Sequence, residues 1–561
     1  MDNYQIADAF SLLAKIMDIH GENSFKTRSY SSAAFQIEKL ENQLADLDRS
    51  AIAGQRGIGA TISQKVIELL DTGKLALLEQ YIAQTPPGVI EMLNIKGIGP
   101  KKINTIWKEM GIESIGELQY ACNENRLTMY KGFGEKTQQN VSDSISFYLN
   151  QQGFFLYQQA EGLANQVVNF LQKHFGRHEK ISLTGDIRRQ MPVLESIHIL
   201  TTAPWEDVQS ALSGFPALEL ESAEDEILQY AIASGPALLI QCCDAENFGW
   251  NLLETTGPDD FVTAMQEIAT HDVDGSDEAL IFEASGLPFI VPALRDLPNI
   301  IDTVAADGMP TLTEPTDIKG IIHSHSKWSD GSNSLEEMAV AAIQRKLEYL
   351  VISDHSKSAG YANGLSEERI RQQHAEIDQL NKKLEPFKIF KSIECDILGD
   401  GQLDYSNEVL ASFDLVIASV HSNLKMTEEK AMQRLLQAVS NPHVHILGHM
   451  TGRLLLSRAG YPVDHVAMIE ACAKHHVVIE LNAHPRRLDI DWSWIPTAIE
   501  KGVLISIDPD AHAVEGFEDT KYGVLAAQKG MLTKAHNLSS FSLVEFEAWL
   551  SSVKAKKSLA H

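Results

Sequence analysis

Three spacings of apolar residues succeed one another along the chain. In the first 80 residues they recur at helical intervals, as Ile6, Phe10, Leu13 and Ile16 and then Ile62, Val66, Leu69 and Leu70, which predicts amphipathic helices. Further on, residues 181–184 and 194–200 form short β-like runs. From residue 320 the pattern becomes strand–helix alternation. Seven β-like runs fall at 320–322, 349–352, 388–390, 415–418, 444–447, 477–480 and 503–506, most of them separated by helix-like stretches such as 335–347, 367–384, 428–439 and 464–474. Sustained over about 240 residues, that alternation predicts a parallel α/β barrel. The expected fold class is multidomain: a helical region over 1–85 and 86–150, a mixed α+β segment over 151–314 and an α/β barrel over 315–561, entered through the polar linker 307–319.

Three Gly-x-Gly turns interrupt the helical region: Arg56-Gly57-Ile58-Gly59, Lys96-Gly97-Ile98-Gly99-Pro100-Lys101-Lys102 and Lys131-Gly132-Phe133-Gly134-Glu135-Lys136. Each has an apolar residue between its glycines and helix-compatible sequence on both sides, the pattern of a helix-hairpin-helix. Glycine lets the backbone approach a phosphate, the following helix N-terminus offers free N–H groups, and the lysines add charge. A single copy reads more readily as a tight helix–helix turn. Three copies, two of them lysine-flanked on both sides, predict sequence-independent binding to the DNA backbone.

Composition alters this picture in one respect. With 44% hydrophobic and 22% charged residues the chain is ordinary globular protein, which excludes disordered and fibrous classes. No run approaches the ~18 apolar residues of a membrane span, and residues 1–10 lack a basic-then-apolar leader pattern, so a cytoplasmic protein without membrane contact is expected. Five scattered cysteines without a C-x-x-C spacing leave metal chemistry to histidine and carboxylate. The net charge of −29 argues at first against a nucleic-acid partner. Its distribution restores one: −3 over 1–150, −20 over 151–314 and −6 over 315–561. A protein partner is one role open to the acidic middle segment.

Six of the seven β-like runs end at candidate metal ligands. They are His323, His325 and Asp330; His355, next to Asp354; Glu394; His421; His449; and Asp510 with His512. Residues at the carboxyl ends of barrel strands converge on one face, so these nine are expected to meet. Imidazole and carboxylate donors suit Zn²⁺, Mn²⁺ or Fe²⁺, ions that ionise water and clamp phosphate oxygens. His443, His445, His374, His465, His475 and His476 fall inside strands or on helices and are expected outside the site, while His484 lines the cleft without ligating.

These residues carry a resemblance over essentially the whole chain. The hairpins, the stretch from Gly21-Glu22-Asn23-Ser24-Phe25 to Tyr30 and the Gly185-Asp186-Ile187-Arg188-Arg189 turn resemble bacterial family X DNA polymerases of the PolX type. The final segment resembles the PHP (polymerase and histidinol phosphatase) domain, through Trp328-Ser329-Asp330-Gly331, Asp354-His355-Ser356, Glu394-Cys395-Asp396 and Thr451-Gly452-Arg453 as well as the nine ligands. The polymerase resemblance implies a nucleotidyltransferase palm with three metal-binding aspartates. Counted from Gly185 and from Phe248-Gly249, those positions hold Ser196, His198 and Leu239, and Pro258-Asp259-Asp260 follows the Thr256-Gly257 turn. The palm is therefore expected to keep its fold and to have lost polymerase activity, with Arg188 and Arg189 structural or on the surface.

The PHP resemblance implies a distorted seven-stranded barrel with three divalent metals, Mn²⁺ and/or Zn²⁺ with Fe²⁺ as a third candidate. Glu394 would bridge them, and Arg453 either contacts phosphate or serves packing. The function implied is a metal-dependent phosphodiesterase on DNA, foremost a 3′-5′ exonuclease in repair that also processes blocked 3′ ends or abasic sites. The alternatives are a phosphatase on small phosphomonoesters, a non-catalytic DNA-binding scaffold and, last, an active polymerase.

Overall fold

The computed structural model describes residues 1–561 apart from 2, 39, 41, 56, 57, 150–152, 216, 217, 225, 233, 234, 270–273 and 561, and apart from the side chains of Tyr4, Phe147, Leu559 and Ala560. Two compact units result, one of Met1–Asn123 with Leu127–Tyr148, the other of Glu124–Arg126 with Leu149–His561. No helix of the described residues is long and apolar enough to cross a membrane.

The first unit is helical. Helices Asn3–Ile19 and Ser24–Glu38 pack together through the stripe read from the sequence, with Ile6, Phe10, Leu13 and Ile16 fully buried beside Tyr30, Ile37 and Val66. The two later Gly-x-Gly turns are close geometric copies. Gly97 and Gly132 each stand at φ +96°, a conformation glycine adopts without strain, and Gly99 and Gly134 lead directly into helices Pro100–Asn104 and Glu135–Leu149. Ile98 and Phe133 turn into the core, while Lys96, Gly97, Gly99, Lys101, Lys131, Gly132, Gly134 and Lys136 are exposed and Lys102 is half-buried. In the first turn Gly59 precedes helix Ala60–Thr72 and Ile58 is buried, whereas Gly57 lies outside the described residues.

The second unit begins with a two-stranded ribbon, β1 (Phe155–Leu156) with β3 (Val193–Leu194), and a five-stranded sheet of β2 (Ile181–Thr184), β4 (Ser196–Thr201), β5 (Leu218–Glu224), β6 (Ile227–Ile232) and β7 (Ala237–Cys242). Its order is β2-β4-β7-β6-β5, with β4 and β7 parallel and the other pairs antiparallel. Ile197, Ile199, Leu238 and Ile240 alternate into its core. A helical subregion follows, centred on Leu253, Phe282, Leu294 and Val304.

The rest of the unit is a barrel of seven parallel strands. They are β8 (Gly320–Ile321), β9 (Tyr349–Ile352), β10 (Lys388–Asp396), β11 (Leu415–Ser419), β12 (Ile446–Leu447), β13 (Val478–Asn482) and β14 (Ile505–Asp508), each hydrogen-bonded to the next in sequence order. β8 and β14 meet only beyond their ends, through a parallel bridge between Ser324 and Ala511. The intervening helices begin where capping side chains sit: Ser334, Ser366, Thr427 and Asp464 each accept a backbone N–H near the start of the helix they open. Two strand expectations need correction. β10 extends six residues beyond 388–390, and β12 is two residues long, leaving His445 before it.

Candidate metal centre

Strand alternation builds the site. Inward-facing positions run from apolar at the amino end of the barrel to polar at the carboxyl end: Phe390, Ser392, Glu394 and Asp396 on β10; Leu415, Ile417 and Ser419, then His421, along β11; Val478, Glu480 and Asn482 on β13. Tyr349, Val351, Ile417 and Ile446 fill the lower layer together with Phe546 and Leu550 of the C-terminal helix Leu543–Ala560. The polar layer above it has been lifted out of water without being made apolar.

All nine expected ligands meet there, in one connected cluster. Glu394 is its hub. Its carboxylate lies 2.9 Å from His355 Nδ1, 2.9 Å from His449 Nε2, 3.1 Å from His421 Nε2, 3.3 Å from His323 Nε2 and 3.7 Å from His325 Nε2. Asp330 stands 3.5 Å from His355, 3.6 Å from His512 and 3.9 Å from His325. Asp510 stands 3.1 Å from His325 and 3.3 Å from His323. Three overlapping donor groups have the spacing to hold a cation: His325, Asp330, His355 and His512; His323, His325 and Asp510; His355, Glu394 and His421.

The donor atoms fit divalent cations. With metal–donor bonds of about 2.1 Å, neighbouring donors of one ion should lie about 3.0–3.4 Å apart in octahedral or tetrahedral coordination. Most separations here fall near that window, and several have no other satisfaction. His323 Nε2, His325 Nδ1, Asp330 Oδ2, His355 Nδ1, Glu394 Oε2, His449 Nδ1 and His512 Nε2 are buried atoms that make no well-directed hydrogen bond among the described residues, even where an opposite partner stands close. Buried polar atoms are costly when left unpaired, so this concentration of them is a strong mark of an ion-binding site.

Electrostatics agree. Burial opposes charge on the imidazoles and prevails at His325, which it lowers to about 3, whereas at His323, His355, His421 and His512 the surrounding carboxylates outweigh it. Asp510 and Glu480 hold His323 well above its usual range, Asp330 and Glu394 do the same for His355, and Glu394 with Asp396 raises His421 to about 9. Burial would raise Glu394, but the facing imidazoles of His421, His323 and His355 push it well below the ordinary carboxylate range. The cluster therefore demands positive charge, which protons on the imidazoles supply when cations do not.

A supporting shell surrounds the donors. His421 Nδ1 pairs with Asp396, His323 Nδ1 lies 2.5 Å from Glu480, and His512 Nδ1 lies 2.9 Å from the Asp510 carbonyl. Asp354 accepts from the backbone and hydroxyls of Ser326 and Ser329, pinning the loop that carries His325 and Asp330. The sequence pattern assigned no such role to Glu480, Asp396 or Arg487. Glu480 carried a signal, being an acid at the end of an apolar strand run, where a charged residue is rarely buried without a partner. Buried Arg487 places its Nε 3.9 Å from Asp510 Oδ2.

Arg453 is held within the protein by all three guanidinium nitrogens. Its Nε donates to the Arg487 carbonyl at 2.9 Å, one terminal nitrogen pairs with Asp491 at 2.6 Å and the other with the Leu488 carbonyl, so it pins the loop after β13. His445 receives the Val416 N–H at 3.2 Å, away from the cluster.

The middle sheet differs. His198 and Leu239 are directly paired across β4 and β7, and Ser196, His198 and Leu239 all occupy the half-buried face opposite the core. Ser196 Oγ and His198 Nε2 bond each other at 2.7 Å. Among the described residues no metal-holding group lies on this sheet. Arg188 binds Glu278 through both terminal nitrogens, at 3.1 and 2.6 Å, and fully buried Arg295 binds the same carboxylate at 2.6 Å. Arg189 and Lys529 converge on Asp296, at 3.1 and 2.6 Å, joining this region to the barrel.

Similarity to known proteins follows the same division. A family model described as a helix-hairpin-helix domain matches residues 1–75, one described as a SAM-like helix-hairpin-helix tandem matches 89–145, and the PHP domain model matches 322–484. The chain thus combines DNA-binding hairpins with a metal-dependent PHP phosphoesterase barrel. A DNA polymerase/3′-5′ exonuclease PolX of Bacillus subtilis is 33% identical over 98% of this chain and 99% of its own length. The chain belongs to the PolX family, and its function lies in phosphoester chemistry on DNA or a related phosphate ester. Over the barrel it also resembles a probable phosphatase of Caldanaerobacter subterraneus, 26% identical over 34% of this chain and 74% of that protein.

Proposed function

We propose that the protein is a metal-dependent 3′-5′ exonuclease that trims DNA ends during repair and has lost polymerase activity. The observation that carries this reading is Glu394, buried among five imidazoles in a chain that also bears DNA-binding hairpins and aligns end to end with a named 3′-5′ exonuclease. His323, His325, Asp330, His355, Glu394, His421, His449, Asp510 and His512 would hold three divalent ions, Mn²⁺ and/or Zn²⁺ with Fe²⁺ as a third candidate. When bound, such ions supply Lewis acidity towards phosphate oxygens and ionise water near neutral pH. Glu394 joins donors of different groups, Asp330 and Asp510 orient the flanking imidazoles, and the exposed backbone and lysines at 96–102 and 131–136 grip phosphates. In this reading 1–85 and 86–150 hold DNA, 151–314 serves as a scaffold open to a protein partner, and 315–561 cuts.

Loss of polymerase activity is supported by Ser196, His198 and Leu239, none of which is a carboxylate, and by the −20 charge of their segment, which repels a triphosphate. Incubating the protein with Mn²⁺ and a 5′-labelled primer–template, with and without dNTPs, tests both halves. Shortening by the wild type, none by Glu394→Ala and no extension with dNTPs are expected. No shortening by the wild type refutes the nuclease reading, and templated extension refutes the lost palm. The barrel's likeness to probable phosphatases favours a second reading, hydrolysis of small phosphomonoesters. Turnover of p-nitrophenyl phosphate faster than of DNA ends would select it.

A further inference from the structure

β13 is the barrel strand after which the sequence shows no ligand, yet its inward residues Glu480 and Asn482 are fully buried at the level of the cluster. Glu480 accepts three hydrogen bonds there. One oxygen receives His323 Nδ1 at 2.5 Å; the other receives the His449 backbone N–H at 3.0 Å and Asn482 Nδ2 at 3.0 Å. Asn482 Nδ2 in turn reaches Asp510 Oδ2 at 3.1 Å. This pair thus touches three donors brought by three other strands.

Those three donors share a second property. His323, His449 and Asp510 have φ of +61°, +22° and +53°, and they are the members of the ligand set with left-handed backbone. That conformation costs a residue with a Cβ and persists only where the surroundings hold it. The strained positions and the contacts of Glu480 and Asn482 coincide.

We propose that Glu480, braced by Asn482, is the positioning residue of the metal centre. It fixes the Nδ1–H tautomer of His323, so that Nε2 presents its lone pair to the cluster, 3.3 Å from both Glu394 and Asp510. It also locks the backbone turn that brings His449 onto Glu394. This inference rests on the metal-centre reading above. A glutamine in its place keeps the shape but not the function. Its one carbonyl oxygen can serve His323 or the His449 N–H, and its NH₂ then faces a donor at the other.

The test is metal binding by the full chain, independent of nuclease turnover. Wild type, Glu480→Gln, His323→Ala and the double variant are loaded with Co²⁺ and titrated with a competing chelator, while the visible Co²⁺ spectrum reports ligand geometry. Glu480→Gln should fold, shift the spectrum and weaken the affected ion roughly 10–100-fold. In the His323→Ala background the same substitution should add markedly less, because part of its effect passes through His323. Wild-type affinity and spectrum in Glu480→Gln, or full additivity in the double variant, overturns the proposal. Should Glu480→Gln fail to fold, Asn482→Ala must alter the spectrum, and an unaltered one overturns it equally. Absence of Co²⁺ binding by the wild type would instead refute the metal-centre reading itself.

Discussion

The barrel mouth and the middle sheet are built by the same device and end in opposite chemistry. In both, strand alternation sends apolar residues to one side and polar ones to the other. On β10 the inward positions hold Glu394 and Asp396, and the ends of neighbouring strands add the imidazoles. On β4 and β7 the corresponding open face holds Ser196, His198 and Leu239, while Ile197, Ile199, Leu238 and Ile240 still fill the core behind it. Packing depends on the apolar face and chemistry on the polar one, so the residues of one can change without the other. Three basic residues of the middle region serve as internal struts, Arg188 and Arg295 on Glu278 and Arg189 on Asp296.

The largest expected contrast is between Glu394 and Arg295. Glu394→Gln should lower DNA-end cleavage about 10³-fold, near 4 kcal/mol of transition-state stabilisation, and reduce metal content, read by primer shortening and elemental analysis. Arg295→Met leaves the buried Glu278 carboxylate half-paired and should cost about 3 kcal/mol of stability in a denaturant melt. At temperatures where that variant stays folded its cleavage rate should match the wild type. A large loss there would give the middle region a direct part in the chemistry.

The next effect concerns pH. His421 titrates near 9 in the metal-free cluster, above its ordinary value, so below that pH the imidazole carries a proton that competes with a cation. Metal affinity should therefore rise between pH 6 and 9, and binding at pH 7 should release protons measurable in weakly buffered solution. Affinity that falls over this range would contradict the assignment of His421 as a donor. The smallest effect belongs to the hairpins. Replacing Lys101, Lys102, Lys131 and Lys136 with alanine should weaken DNA binding at every sequence. It should also flatten the salt dependence, by about 0.9 in log–log slope for each phosphate no longer neutralised.

Helices Glu367–Leu384 and Glu428–Val439 coincide with their sequence patterns because a polar outer face marks each helix and a capping Ser366 or Thr427 marks its start. β10 was harder to read. Past Phe390 its inward positions are Ser392, Glu394 and Asp396, so the apolar alternation that announces a strand is inverted where the function sits. β12 contributes only Ile446–Leu447, too short for periodicity to delimit.

Residue type and spacing alone determined the helical hairpins, the seven-strand alternation and the nine donors, since these are local properties of the chain. Partnership was decided only in three dimensions. Nothing local tells that Glu480 reaches His323, 157 residues away, that Arg453 turns to Asp491 and two carbonyls, or that Lys529 closes an ion cluster with Asp296 and Arg189. Such contacts depend on which side chains the closed barrel forces together out of water, where each buried charge must find a partner.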